Sequence, residues 1–216
     1  MFLKLCPVLL VSLLSFLPAE TRAEDLAALV EQVDGVDDIA ALDFLAPGDL
    51  IDLGADGALT LSYLSSCRHE RIRGGLVRIG ETGSTATGGE IDISVIPCDS
   101  QRVVRAGAGA EASVVRNFGD TRDMLSPEPD VIVFSVYPVL KSLARIGSVR
   151  LMRLDRDEPE RDLTLRNGIG DFRDYRLRLA PDGLYRIING ETDTIFRVDA
   201  GAGSGDTAIL SRLVVI

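Results

Sequence analysis

The sequence is short of the residue types and motifs on which most enzymes depend. It has no tryptophan, one histidine and 5% aromatic residues, so it offers few rings on which a sugar could stack. No G-x-S-x-G nucleophile motif is present, and the glycine-rich stretches 80–84 and 201–205 lack the Lys-Ser/Thr step of a phosphate-binding loop. We therefore predict no catalytic residue and no cofactor.

Long apolar runs are also lacking, apart from residues 8–17. This run is shorter than the roughly 20 apolar residues that span a bilayer. It follows Lys4 and precedes Thr21-Arg22-Ala23, which fits a small-x-small cleavage site. We predict that residues 1–23 are a signal peptide cleaved after Ala23, and that the mature protein is periplasmic or secreted with no membrane span.

Basic residues are fewer than acidic ones. The chain has 23 Lys and Arg against 33 Asp and Glu, a net charge of −10. Loss of the leader removes two basic residues and one acidic residue, which leaves −11. Since an acidic chain repels nucleic acids and anionic lipid surfaces, neither is expected as a partner.

Cysteine is scarce, and only Cys67 and Cys98 remain after the leader is removed. In an oxidising compartment we expect these two to form a disulfide, and two buried free thiols are the alternative. Two cysteines and one histidine cannot complete a tetrahedral metal shell without carboxylates, so we predict no metal site.

Alternation of apolar and polar residues is abundant, and it is typical of half-buried β-strands. We predict an all-β fold with one β domain at 24–118, a linker at 119–130 that contains two prolines, and a second β domain at 131–216. Residues 24–34 fit a helix or an edge strand, and we favour the strand. Further predicted strands lie at 50–53, 59–63, 76–80, 91–95, 131–137, 149–154, 175–179, 184–188 and 209–216, with polar loops at 81–89 and 200–206.

Two stretches resemble known β domains. Residues 177–187, LRLAPDGLYRI, are similar to the L-x-P-x-x-x-Y-x-I corner of fibronectin type III and Ig-like sandwiches, which implies that Tyr185 hydrogen-bonds back across a corner. Residues 46–80 resemble the FecR-like domain of bacterial envelope proteins, through Gly48-Asp49, an apolar strand, a glycine turn and an alternating strand. FecR proteins also carry a membrane anchor and a sigma-factor-binding tail, which we do not expect here, so the resemblance implies a fold and not that signalling role.

A few side chains could carry chemistry. His69 could act as a general base towards Ser65, Ser66 or Ser84, although an exposed loop histidine is the simpler interpretation. Acidic residues at 34, 37 and 38, or at 155, 157 and 158, could bind calcium, but neither group fits a calcium-loop motif, and solvated turns explain them as well.

Arginines recur at alternate positions of the predicted strands in the second half. They could line one sheet face and bind an anionic ligand or an acidic partner, or they could pair with the many carboxylates of a solvent face. The residues are Arg150, Arg153, Arg166, Arg176, Arg178, Arg186 and Arg197.

These observations favour an exported, non-catalytic β protein of the bacterial envelope that binds another envelope protein or a cell-wall component. The alternative is a secreted carboxylate-dependent hydrolase, assisted by calcium. A deep cleft with two converging carboxylates would favour the hydrolase.

Overall fold

The computed structural model describes residues 25–106, 112–116, 127–144, 146–190 and 192–216, and the regular structure in these ranges is almost entirely β-strand. The predicted all-β class is confirmed. Within these ranges the helical structure is one 3₁₀ turn, Leu210–Arg212, and no helix there is long and apolar enough to cross a membrane. The predicted signal peptide and its cleavage site at Ala23 lie outside the described residues.

The first half of the chain builds two facing sheets and one small accessory sheet. A five-stranded sheet has the order β3-β2-β5-β6-β9, a three-stranded sheet the order β4-β7-β8, and β1-β10-β11 form the accessory sheet. Its described strands are β1 Asp25–Leu26, β2 Ala28–Asp34, β3 Phe44–Leu45, β4 Leu50–Asp52, β5 Ala58–Tyr63, β6 Arg68–Arg73, β7 Leu76–Ile79, β8 Ser84–Thr87, β9 Glu90–Val95, β10 Arg102–Ala106 and β11 Ala112–Arg116.

The second half is also a pair of sheets. Its five-stranded sheet has the order β12-β18-β17-β14-β15 and its three-stranded sheet the order β16-β13-β19. The described strands are β12 Val131–Ser135, β13 Val139–Lys141, β14 Ser148–Arg153, β15 Arg161–Thr164, β16 Ile169–Asp171, β17 Leu184–Asn189, β18 Thr192–Gly203 and β19 Leu213–Val215. The pairs β12–β18 and β13–β19 are parallel, and the other pairs are antiparallel.

Each half has its own hydrophobic core between its two sheets, because alternate residues of every strand turn inwards. Leu59, Leu61 and Ile72 of the first half pack against Val77 and Ile79 of the facing sheet. In the second half, residues of the five-stranded sheet pack against residues of the three-stranded sheet in the same way. Both halves therefore have a sandwich architecture.

The three-stranded sheet of the second half, here called the central sheet, is buried on both faces. Leu140 and Val214 pack into the core of the second half. Their sequence neighbours Val139, Leu213 and Val215 belong to a separate cluster. That cluster, here called the junction cluster, also includes Leu29, Leu42, Leu64 and Val104 of the first half. The continuous apolar run at 213–216 is what such two-sided burial requires.

Several sequence predictions of strands are confirmed, including β2 for the ambiguous segment 24–34. Of the predicted linker, only residues 127–130 are described, so the division into two domains stays a prediction. The two halves nevertheless share the junction cluster. Lys141 also donates its Nζ proton to the carbonyl oxygen of Leu42 across the same boundary.

Two predicted elements are wrong in type. The predicted polar loop 81–89 contains the strand β8. Ala86 of β8 packs on the core of the first half, while Thr85 and Thr87 face solvent. The segment is polar because β8 is an edge strand. The predicted strand 175–179 is a turn followed by extended chain, since Leu179 N bonds Val136 O instead of joining a sheet ladder, and Arg176 has φ +53°. Apolar residues alternate there because Leu177 and Leu179 reach the core from irregular backbone.

Two predicted boundaries in the last 17 residues are also wrong. The predicted loop 200–206 begins inside β18, which extends to Gly203. The predicted strand 209–216 begins with the 3₁₀ turn, and only Leu213–Val215 is strand. Both ends of β19 are therefore set by its pairing with β13, a contact made 74 residues away in sequence.

The predicted disulfide joins Cys67 to Cys98, with a Cα–Cα distance of 5.6 Å. Cys67 lies in the turn between β5 and β6, with φ +54°. Cys98 follows β9 and packs at the edge of the junction cluster. The bridge therefore fixes the end of the first sandwich that faces the second half.

We expect replacement of both cysteines by serine to lower the free energy of unfolding by about 3–4 kcal/mol, because the bridge closes a loop of 31 residues and restricts the unfolded chain. Urea unfolding of the variant and of the wild type, with and without reductant, measures this loss. Reductant should shift the wild-type midpoint and leave the variant midpoint in place. Identical midpoints for oxidised wild type and variant would contradict a stabilising role.

Candidate functional site

The structure divides the predicted arginine face into separate groups. Arg150, Arg186 and Arg197 lie on the outer face of the five-stranded sheet of the second half, because their neighbours Val149, Leu151, Tyr185, Ile187, Phe196 and Val198 turn into the core. Each of the three has a carboxylate partner. The ion pairs are Arg150–Glu160 (3.3 Å), Arg150–Asp162 (3.4 Å), Arg186–Asp193 (3.2 Å) and Arg197–Asp182 (3.3 Å).

Arg153 lies on the opposite face of the same sheet. It follows Arg150 by three positions, so its side chain points inwards with that of Leu151, and only 7% of it is exposed. Its Nε and Nη2 donate to the two carboxylate oxygens of Asp155 at 2.9 and 3.0 Å, and Nη1 donates to Glu158. Its guanidinium carbon is 5.5 Å from the ring centre of Tyr185.

A pocket of about 390 Å³ opens beside Arg153, here called the arginine pocket. Arg161 pairs directly opposite Leu151 at the inner face of the sheet, and Arg178 reaches the pocket from the segment that covers it. Both are exposed, and in the described part of the chain neither has an ion-pair partner. The lining residues are Leu151, Arg153, Glu158, Pro159, Arg161, Leu177, Arg178, Leu179, Ala180, Pro181 and Tyr185.

The arginine pocket is positively charged, although the whole chain has a net charge of −10. Hydrogen bonds from Arg153 lower the pKa of Asp155 to about 2, so this carboxylate stays ionised. With Glu158 it more than offsets the charge of Arg153, and the positive charge of the pocket comes from Arg161 and Arg178. Arg161 and Arg178 remain as cations over an apolar floor. Guanidinium groups in such a position favour a planar anionic group, above all a carboxylate.

Tyr185 forms the floor of the pocket and makes the contact that the corner resemblance implies. The backbone N–H of Ala180 donates to the Tyr185 hydroxyl at 3.0 Å, and the ring stacks on Phe196 with centroids 5.5 Å apart. Burial raises the pKa of Tyr185 above its usual value. The residue therefore holds the covering segment and is not placed to act as a base.

Arg161 was missed by the sequence analysis, although a signal was available. It precedes Leu163 by two positions in one strand, so period-two alternation places it on the core side. Arg166 and Arg176 of the predicted face are exposed but do not line the pocket.

A second polar site lies between the two halves and is centred on Glu31. Glu31 alternates with the core residues Ala28 and Val30, so it lies on the outer face of the first sheet. It is the extra residue of a β-bulge between Val30 and Gln32. Its Oε1 accepts hydrogen bonds from Ser62 Oγ at 2.5 Å and from the backbone N–H of Leu210 at 3.1 Å. Its Oε2 is 3.5 Å from Nε2 of His69. One buried carboxylate thus connects both halves of the chain.

The pKa of Glu31 is held below its usual value. Burial alone would raise it, but the contacts from His69 and Ser62 and the backbone N–H groups of Leu210 and Ile209 together outweigh that effect. Glu31 is therefore ionised at neutral pH, which is the state that its donors require.

The serines proposed as nucleophiles are not directed at His69. Ser65 and Ser66 donate to the carbonyl oxygens of Glu81 and Thr82 at 3.4 and 2.8 Å. Ser84 bonds the Tyr63 hydroxyl at 2.7 Å, on the opposite face of the sheet from His69. His69 itself is 7% exposed, so the prediction of a loop histidine is wrong. It lies on β6, and its Nε2 is 3.5 Å from the carboxylate of Glu31 on β2, which reaches it across the intervening strand β5.

A cleft of about 610 Å³ borders this site. It holds Glu31 and Asp206, but the Asp206 side chain is 99% exposed and is paired with Arg173 at 2.9 Å. On the same side, Arg212 donates two hydrogen bonds to Asp171, at 3.0 and 2.8 Å. Each carboxylate of the cleft thus has its own partners, His69, Ser62 and the Leu210 backbone for Glu31 and Arg173 for Asp206.

Within the described ranges, no group of three or more histidine, cysteine, aspartate or glutamate side chains could hold a metal ion. Asp155 and Glu158, considered for calcium, both bind Arg153 instead. Comparisons with protein-family models, with curated proteins and with solved structures find no match to this chain.

Replacement of Glu31 by Gln should lower the free energy of unfolding at pH 7 by about 1–3 kcal/mol, because the charged acceptor of the Glu31 hydrogen bonds is lost. Since the folded pKa lies below the unfolded value of 4.5, the wild type should lose this contribution as the pH falls through and below 4.5. The difference between variant and wild type should therefore shrink in acid.

Urea unfolding at pH 7 and at several lower pH values measures this difference. The matched control is Glu81→Gln, which removes an exposed loop carboxylate and should leave the curve unchanged. A constant difference between Glu31→Gln and wild type at all pH values would contradict the role given to the ionised carboxylate.

Proposed function

We propose that this is an exported, non-catalytic protein of the bacterial envelope, which binds a carboxylate-bearing partner, protein or cell-wall component, through the arginine pocket. The observation that carries this proposal is the position of Arg161 and Arg178, two cations beside an apolar floor that have no ion-pair partner within the described ranges. Arg153, whose guanidinium is held by two carboxylates, acts as a fixed wall of the site.

Electrostatics favour an acidic ligand at this position. Arg150, Arg186 and Arg197 already have carboxylate partners, whereas Arg161 and Arg178 of the arginine pocket have none among the residues that the structure describes. Bidentate hydrogen bonds from a guanidinium to a carboxylate are stronger than those between neutral groups. The pocket would therefore receive an aspartate or glutamate side chain, or a chain-terminal carboxylate, and would reject a cation.

Export and a two-domain organisation are the remaining parts of the proposal. The Cys67–Cys98 bridge supports an oxidising compartment, periplasmic or secreted. The paired sheets of each half and the hydrogen bond of Tyr185 to Ala180 support a FecR-like domain followed by an Ig-like domain. Because such folds host many functions, binding is argued from the pocket alone.

The hydrolase alternative has less support. Glu31 is ionised and already accepts hydrogen bonds, so it lacks the raised pKa of a general acid. Asp206, the other carboxylate of that cleft, is exposed and paired with Arg173. The arrangement of Glu31 and His69 is better suited to joining the two halves than to activating a nucleophile.

The binding test uses the mature protein and a fluorescent octaglutamate peptide as probe, with an uncharged octaglutamine peptide as the negative probe. Fluorescence anisotropy at about 0.15 M salt, where the net negative charge of the protein is largely screened, should show saturable binding of the acidic peptide only. In the Arg161→Gln/Arg178→Gln variant, affinity should fall about tenfold or more, because two charge-assisted contacts are lost.

The matched control is Arg166→Gln/Arg176→Gln, which changes the net charge equally at exposed arginines outside the pocket. This control should bind within about twofold of the wild type, since distant surface charges are screened. An equal loss in both double variants, or no loss in either, would contradict the proposed site.

A further inference from the structure

The first sandwich has an open sheet edge with exposed apolar side chains. β9 is the last strand of the order β3-β2-β5-β6-β9, and no described strand pairs with its other side. Ile93 and Val95 are 50% and 77% exposed. Together with the partly buried Ile91 they lie on one face of β9, since side chains two apart share a face.

This edge has little of the usual protection against pairing. Proteins block an edge strand with lysine, proline, a bulge or a covering segment. β9 has the sequence EIDISV, which contains neither lysine nor proline, and its register against β6 runs without a shift from Arg68↔Val95 to Arg73↔Glu90. It is a regular six-residue strand, and no strand in the described part of the chain pairs with the backbone groups along its outer side.

We propose that β9 pairs antiparallel with β9 of a second copy of this chain, so that the two five-stranded sheets join into one. Ile93 would lie opposite Ile93 of the second copy, on a two-fold axis. This interface goes beyond the proposed function, because it lies on the first half, away from the arginine pocket on the second.

The side chains of β9 favour a second β9 strand as its partner and favour one alignment of the two strands. With Ile93 on the axis, Ile91 lies opposite Val95 of the second copy, so each copy contributes three residues to one apolar stripe. On the other face, Asp92 lies opposite Ser94. Moving the axis to Asp92 would place two aspartates directly opposite each other, which is unfavourable. The register with Ile93 on the axis is therefore the one that brings Ile91, Ile93 and Val95 of both copies into a single stripe without opposing like charges.

A dimer with two-fold symmetry closes on itself. Each copy uses its single open β9 edge, and the interface is the same surface on both copies. The joined sheet then has ten strands, with β3 at both of its outer ends. Association would stop at two copies and would not continue into a fibre.

The first test measures the mass of the mature protein by sedimentation velocity over a range of concentrations. The wild type should approach twice the monomer mass as concentration rises. Ile93→Lys and Val95→Lys should each raise the dimer dissociation constant about tenfold or more, because they place charges in the apolar stripe.

The matched control is Leu76→Lys. Leu76 is 45% exposed on β7, a strand that lies between β4 and β8 and so has no free edge. This variant should dimerise like the wild type, and all variants should keep the wild-type circular dichroism spectrum. A monomeric wild type at high concentration, or an equal effect of Leu76→Lys, would overturn the proposal.

The register has its own test. Ile93→Cys should form a disulfide-linked dimer rapidly under mild oxidation, because the two Cβ atoms on the axis are about 4.5–5.5 Å apart in a directly opposed pair. Asp92→Cys should cross-link more slowly, since Asp92 lies opposite Ser94. Faster cross-linking through position 92 would overturn the proposed register.

Discussion

The structure depends on one constraint, which is that the central sheet of β13, β16 and β19 is buried on both faces. Leu140 and Val214 face the core of the second half, while Val139 and Leu213 face the first half. Because neither face of this sheet contacts solvent, separating it from either sandwich would expose apolar side chains to water. The two sandwiches are therefore held together by a sheet that each of them needs, and not by surface contacts alone.

The polar features follow from this arrangement. Where the first half meets the end of the central sheet, the backbone N–H of Leu210 would be unsatisfied without Glu31, so a buried carboxylate is stabilising there. Elsewhere in the second sandwich, irregular chain at 177–181 replaces a strand over the inner face. This leaves room for the arginine pocket, which includes Arg161. The site that could bind a partner thus lies where regular sheet packing ends.

Sequence patterns predicted most of the strands, because half-buried strands alternate and their turns need glycine, as at Gly74 and Gly75 with φ +64° and +78°. They did not predict contacts between distant residues. Nothing local to His69 indicates that Glu31, 38 positions earlier, lies beside it, because that contact depends on a bulge and on sheet register. The prediction of one arginine face was wrong in part because Arg150 and Arg153 are three positions apart and so point to opposite faces of the sheet. This odd spacing could have been read from the sequence.

The central claim is that the shared sheet makes the described halves one cooperative unit. Scanning calorimetry of the mature protein tests it most directly. The account predicts a single transition whose calorimetric enthalpy equals its van't Hoff enthalpy. Two resolved transitions, or a calorimetric enthalpy well above the van't Hoff value, would show that the halves unfold independently and would contradict it.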